Sequence, residues 1–184
     1  YSRWFQFSAF TPVFRAHGTN VPREVWQFGE KGTPFYDNQV KYIHLRYRLL
    51  PYIYSMSHQV TANNYTLLRG LAMDFTTDTR TFDIDNAYMF GTSLLVRPVF
   101  HPQSEEKNIS VYLPEHNGKY WYDFWTGKAF EGGREQMQAN TLDILPLYVK
   151  AGSILPLAEV KQYAMEYPDR ELELRIYGGA DASF

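Results

Sequence analysis

Between Asp37 and Asn63 apolar side chains recur at helical spacing on two faces at once. Val40, Ile43, Tyr47, Leu50 and Tyr54 form one stripe, and Tyr42, Leu45, Leu49, Ile53, Met56 and Val60 form a second. Lys41, Arg48, Ser55 and Gln59 are left as a narrow polar face. A helix of this kind has to be packed on two sides, so the fold must supply two neighbours for it. Asp37 or Asn38 is placed to cap it. Pro51 removes a backbone donor from its interior and should bend it, a cost of about 3 kcal/mol that packing has to offset. His44 and His58 sit on it too far apart to act as a ligand pair and read as structural.

After Ser93 the hydrophobic period changes to two. Leu94 to Val99, Ile109 to Leu113, Lys119 to Phe124, Leu142 to Val149, Ser153 to Leu157 and Glu171 to Tyr177 read as short strands separated by turn residues. That spacing is the signature of an antiparallel β-sandwich. The last strand alternates cleanly, with Leu172, Leu174 and Ile176 on one face and charges on the other. Thr126-Gly127 and Gly132-Gly133 are turns and not phosphate cradles, since no helix with a Gly-Lys-Ser start follows. In Tyr120-Trp-Tyr-Asp-Phe-Trp125 the alternation puts Tyr120, Tyr122 and Phe124 on one face and Trp121, Asp123 and Trp125 on the other. Trp121 and Trp125 could form a sugar-binding platform, but core packing is the stronger reading.

Composition narrows the partners. A chain of 184 residues that is 45% apolar can fill a core, and a formal net charge of -2 without any basic block argues against nucleic acid. No apolar run approaches the roughly 20 residues of a membrane span. Cysteine is absent, which removes disulfides and thiolate chemistry. The aspartates at 74, 78, 83 and 85 lack the spacing and closing glutamate of a calcium loop and read as turn residues, so no metal and no cofactor is assigned. The tripeptides Asn64-Tyr-Thr66 and Asn108-Ile-Ser110 are glycosylation-type matches of the sort chance supplies. The chain opens on Tyr1 in mid-pattern, which reads as a piece of a longer polypeptide, and the compartment is left open.

Polar chemistry gathers near the amino terminus. Residues 2 to 8 read as the end of a helix, and Ala9 to Phe14 as a short buried strand that Pro12 keeps extended through Val13 and Phe14. Arg15, His17 and Gly18 follow where that strand would end, the position that lines the active-site mouth in strand–helix barrels. Taken singly, an arginine and a histidine read more readily as hydrogen-bonded core or surface groups than as a site. From Gly18 to Tyr36 prolines and glycines give a long irregular loop, in which Trp26 either stacks on a sugar or, as the stronger reading, anchors the loop.

Tyr1-Ser-Arg-Trp-Phe-Gln-Phe-Ser-Ala-Phe-Thr-Pro-Val-Phe-Arg-Ala-His-Gly18 resembles the end of the catalytic barrel of glycoside hydrolase family 31. Leu45-Arg-Tyr-Arg-Leu-Leu-Pro-Tyr-Ile-Tyr54 resembles the helix after the last barrel strand. Trp121-Tyr-Asp-Phe-Trp-Thr-Gly127 and Leu145-Pro-Leu-Tyr-Val-Lys-Ala-Gly-Ser-Ile-Leu-Pro156 resemble the sandwich that follows it. The resemblance implies an α+β fragment: the last strand and helix of a (β/α)8 barrel over residues 1–75, an antiparallel β-sandwich over 76–165, and the start of a distal β-domain over 166–184.

It further implies part of a retaining α-glycosidase that removes terminal α-linked xylose or glucose from oligosaccharides. His17 would bind hydroxyls of the sugar and Arg15 would order that wall. Such enzymes need two carboxyl groups about 5 to 5.5 Å apart. The carboxylates near Arg15 and His17 are Glu24, Glu30 and Asp37, in loop or cap positions, and none matches a catalytic pattern. In the family both catalytic aspartates lie on earlier strands, so no catalytic residue is expected here, and this chain alone should be inactive without the remainder of the barrel. Arg-Ala-His-Gly-Thr-Asn20 and Pro22-Arg-Glu-Val-Trp-Gln27 look more like the bacterial α-xylosidase branch. The alternative from another class is a free-standing, non-catalytic carbohydrate-binding or structural β-sandwich module.

Overall fold

The computed structural model describes residues 1–166 and 171–184. In chain order its elements are α1 (Ser2–Ser8), α2 (Pro34–Arg48), α3 (Leu50–Asn63), β1 (Leu68–Gly70), α4 (Leu71–Asp74), β2 (Tyr88–Phe90), β3 (Leu94–Val96), β4 (Asn108–Leu113), β5 (Tyr120–Asp123), β6 (Ala129–Glu131), β7 (Arg134–Ala139), β8 (Leu147–Lys150), β9 (Ser153–Leu157) and β10 (Glu173–Tyr177). Short 3-10 turns occupy Val25–Phe28 and Thr79–Asp83. Among the described residues β1-β2-β3-β8-β5-β6 form one sheet, and β4-β7 and β9-β10 form two-stranded ribbons, every pairing antiparallel.

Strand alternation decides what each face of the central sheet meets. The register lines up Phe90, Leu94, Val149 and Tyr122 on one side, and Met89, Leu95, Tyr148 and Asp123 on the other. The first side shares a core with Tyr42, Leu45, Leu49, Tyr52, Ile53 and Met56 of the helices. The second shares a core with Ile109, Val111 and Leu113 of β4 and with Trp121. Both faces of the sheet are therefore buried, which is why β3 reads Leu-Leu-Val without polar alternation. Trp121 is fully buried and donates its indole N–H to the Pro114 carbonyl at 2.8 Å. The aromatic run is thus core and not a platform. Trp125 leaves the face of Trp121, because the Asp123 carboxylate accepts from the backbone N–H of Trp125 and of Thr126 and turns the chain. Its ring instead packs edge-on to Tyr42.

The expected long helix is two helices. Leu49 separates them, and Pro51 falls in the first turn of α3, where its missing N–H would have no intrahelical partner. Pro34 likewise opens α2, earlier than the expected cap at Asp37 or Asn38. Asp37 accepts from Gly32 N–H, and Asn38 is buried and donates to the Leu142 carbonyl at 2.9 Å. Tyr52 fixes α3 to the sheet by donating to the Phe90 carbonyl and accepting from Ser93 N–H. Gly91, at φ +64° in the β2–β3 turn, leaves room for that hydroxyl, which would lie 2.3 Å from a Cβ there.

One stripe of the helix pair is buried from Tyr42 to Met56, with Val60 exposed at its end, and the other is not buried. Val40, Ile43, Tyr47 and Leu50 are half-exposed and Tyr54 is 80% exposed. The last strand behaves similarly. Its alternation is as expected, but the apolar face points outward, with Leu172, Leu174 and Ile176 exposed. Inward, Arg175 lies over the Phe124 ring, Glu173 pairs with Arg48 and Arg175, and Tyr177 is buried. The expected boundary between 165 and 166 adjoins 167–170, which lie outside the described residues. The polar strands β6 and β7 were not legible as strands. Gly132-Gly133 between them is the expected turn, and it carries the chain from the central sheet to the ribbon with β4.

Candidate functional site

The segment that carries Arg15 and His17 leaves α1 and runs beneath α2. Burial draws the Arg46 guanidinium down to about 10, still a cation at neutral pH, and its two arms donate to the carbonyls of Ala9, Thr11 and Pro12 at 2.6 to 3.1 Å. Tyr88 of β2 donates to the Phe10 carbonyl at 2.8 Å, and burial raises that phenol. Residues 9 to 12 are therefore held from two sides, with Ala9 and Phe10 fully buried. α1 is tied in turn to the 140–145 loop, where Arg3 reaches Asn140, Thr141 and Ile144, and Gln6 reaches Leu142.

Beyond Pro12 the expected strand does not form. Val13 is 73% exposed, and residues 13–18 have no regular structure. A strand needs a partner for its backbone N–H and C=O groups. Among the described residues no strand lies beside this segment.

Arg15 and His17 are both exposed, and neither side chain bonds any described residue. They share one short segment, but the structure does not bring them into contact. The backbone of His17 is held, because Arg23 Nη1 donates to its carbonyl at 2.6 Å. His17, Gly18, Asn20, Pro22, Arg23 and Glu24 line an open concavity of about 550 Å³. An imidazole with both ring nitrogens open can donate and accept in one plane, which suits adjacent hydroxyls of a polyol. Glu24 is exposed at the start of an irregular turn, and no second carboxylate lines the concavity among the described residues. A pair of carboxyl groups for general acid and nucleophile work is therefore not assembled there.

Trp26 does not anchor its loop, being 67% exposed. That role falls to Tyr1 and Phe28, whose rings stack at 4.0 Å and 7°. His44 and His58 are exposed on the helix pair. Asp78 accepts from Arg80 N–H, from the Tyr112 hydroxyl at 2.6 Å and from Glu115 N–H, so it ties turns together. Among the described residues no cluster of three metal-ligating side chains occurs and no helix is long and apolar enough to cross a membrane. Arg23, Arg46 and Tyr88 are the positioning groups that residue patterns did not single out. Arg23 had a local signal, since it lies in the Pro22-Arg-Glu-Val-Trp-Gln27 block.

Residues 64–155, half of the chain, match the family model described as Glycosyl hydrolase family 31 C-terminal domain. Residues 1–56 match the one described as Glycosyl hydrolases family 31 TIM-barrel domain. The chain is 45% identical to an alpha-xylosidase of Saccharolobus solfataricus over 99% of its own length and 24% of that protein's. It is 34% identical to alpha-glucosidase 2 of Bacillus thermoamyloliquefaciens, over 96% of this chain and 22% of the relative. It superposes on the crystal structure of an alpha-xylosidase from Xanthomonas citri with a TM-score of 0.92 and 41% identity, covering all of this chain and 20% of that one. It thus spans about a quarter or less of the length of each of these relatives.

Proposed function

This chain belongs to glycoside hydrolase family 31, and from that premise we propose that it is the carboxy-terminal part of the catalytic unit of a retaining α-glycosidase. Residues 1–75 supply the end of the barrel and 76–165 the sandwich behind it. The tail after 166, expected to start a further β-domain, instead returns Glu173–Tyr177 to pair with β9 and places Tyr177 in the shared core, so the described part of it completes the sandwich. The observation that carries the reading is the whole-length match to an α-xylosidase about four times as long. The half-exposed stripe of α2 and α3 supports it, since the remainder of a barrel would give that stripe its second neighbour.

The substrate is a terminal α-linked sugar of an oligosaccharide. Xylose is favoured over glucose by the higher identity to the α-xylosidase, 45% against 34%. Hydrolysis with retention requires a nucleophile and an acid/base carboxyl about 5 to 5.5 Å apart. Those groups belong to the rest of the barrel, so this chain alone is inactive. The work of this chain is at the wall of the sugar site. His17 hydrogen-bonds hydroxyls of the sugar being cleaved, and Arg15 orders the same wall. Hydrogen bonds to sugar hydroxyls that strengthen in the transition state lower the barrel's activation barrier by several kcal/mol.

The test is His17→Ala in the full-length parent, assayed on aryl α-xyloside and aryl α-glucoside. Turnover should fall by about 10²-fold or more with the melting temperature kept. Near-normal turnover on both substrates would sink the assignment.

A further inference from the structure

We propose that Arg23 is a positioning residue for His17, clasping the backbone on which the imidazole is presented. The inference rests on the reading of His17 as a sugar-binding group. From Phe14 to Pro22 the chain is exposed or half-exposed and irregular. Among the described residues, the bond from Arg23 Nη1 to the His17 carbonyl, at 2.6 Å, is the one hydrogen bond that any residue of this stretch makes. A guanidinium bonded to a carbonyl is a charge-assisted contact and stronger than a neutral one.

The clasp has a fixed end. The Arg23 carbonyl accepts from the Tyr1 hydroxyl at 3.1 Å, and the Tyr1 ring stacks on Phe28 of the following turn. Val25–Phe28 in turn packs against α2. Arg23 therefore connects an anchored turn to a loop that, once past Phe14 and its contact with Phe5, has no other hydrogen bond among the described residues.

Gly18 completes the arrangement. A Cβ at position 18 would lie 1.4 Å from Arg23 Nη1 and 2.5 Å from its Cζ, so the guanidinium occupies the space that any other residue's side chain would take. Gly18→Ala would push the flexible end of the Arg23 side chain aside and so disturb its bond to the His17 carbonyl without changing residue 23.

The experiment is a double-mutant cycle in the full-length parent, with kcat and KM measured on aryl α-xyloside. Misplacing a binding group by about 1 Å costs on the order of 10²-fold, so Arg23→Ala should lower kcat/KM by about that factor. Gly18→Ala should reproduce the loss, and Arg23→Lys, which keeps a cationic donor, should recover part of it. In the His17→Ala background both Arg23→Ala and Gly18→Ala should change kcat/KM by less than about twofold, because the effect runs through His17. Losses that multiply in that background, or an Arg23→Ala enzyme within about twofold of the wild type, overturn the clasp. A His17→Ala enzyme of normal activity overturns the sugar-site reading instead, and the clasp's functional role with it. If Arg23→Ala does not fold, Gly18→Ala and Arg23→Lys carry the same cycle.

Discussion

The central sheet and the helix pair α2–α3 carry the same signal, apolar side chains on both faces, and the structure treats them differently. The sheet is covered twice, by helices on the side of Phe90 and Val149 and by β4–β7 on the side of Leu95 and Tyr148. The helix pair is covered once, and Tyr54 at the far end of its open stripe is 80% exposed. Two-sided hydrophobicity states how many neighbours an element requires. Whether they are present depends on how much polypeptide surrounds it.

The largest test of this contrast compares two tryptophans. Trp121 is fully buried between the sheet and β4, whereas Trp26 is exposed. Truncating a buried Trp costs about 3–5 kcal/mol, and a surface residue within about 0.5 kcal/mol. Denaturant unfolding of Trp121→Ala and Trp26→Ala should separate by that margin, and equal losses would mean that the sheet is not closed on that side. Next comes the seam between helices and sheet. Tyr42 lies in the covered stripe, and its hydroxyl accepts from the buried Leu145 N–H at 2.7 Å. Tyr42→Phe orphans that donor and should cost about 1–3 kcal/mol in the same measurement. A neutral result would require another acceptor to reach Leu145.

These tests bear on what could be read beforehand. The β-rich half was legible because its strands are short apolar runs between turn residues: the expected strands from Leu94, Ile109, Lys119, Leu142 and Ser153 each overlap an observed one, those from Lys119 and Leu142 starting one and five residues too early. β6 and β7 were illegible because Ala-Phe-Glu and Arg-Glu-Gln-Met-Gln-Ala lack an apolar face, and backbone pairing holds them together with Phe130 packed on Tyr148 and Glu135 bonded to Ser110. The candidate site has two signals in the sequence, the end of an expected strand and family resemblance, and the strand does not form, so the resemblance alone is left to mark Arg15 and His17. Arg15 and His17 are exposed groups on an irregular segment, and neither periodicity nor composition marks such residues. The strand expected at Val13 and Phe14 does not form, and among the described residues no neighbouring strand lies there to pair with it.

A pH-dependent effect probes the covered side again. His116 packs edge-on to Trp121; its Nε2–H meets the Tyr120 carbonyl, and its Nδ1 accepts from Gly118 N–H, so the ring is neutral in the fold. Burial holds its pKa below the usual value, with the Lys150 ammonium acting in the same direction and the bond to Tyr120 opposing. The unfolded chain therefore takes up the proton more readily than the folded one. The contribution to stability is fully present above the unfolded value of about 6.5 and is lost as pH falls through the folded pKa. Melting curves between pH 7.5 and 5 should show wild type losing stability more steeply than His116→Gln; parallel losses would remove the histidine from the account.

The smallest effect is also the sharpest test of the comparison, because it should depend on context. Ile43 and Tyr54 lie on the open stripe, where this chain gives them half cover or less. In this chain Tyr54→Ala should shift stability by no more than about 0.5 kcal/mol, as surface substitutions do. Ile43→Ala should cost more than Tyr54→Ala, in line with its greater burial. In the full-length parent the stripe would meet its second neighbour, and the same Tyr54→Ala change becomes a core truncation costing about 3–5 kcal/mol. Dye binding reports the same difference without mutation, since a contiguous apolar stripe should bind an environment-sensitive fluorophore in this chain and not in the parent. If Tyr54→Ala is equally mild in both, the stripe is a true surface. The two-sided pattern would then have to be explained by something other than a missing neighbour, and the strongest structural support for placing this chain against the rest of a barrel would be gone.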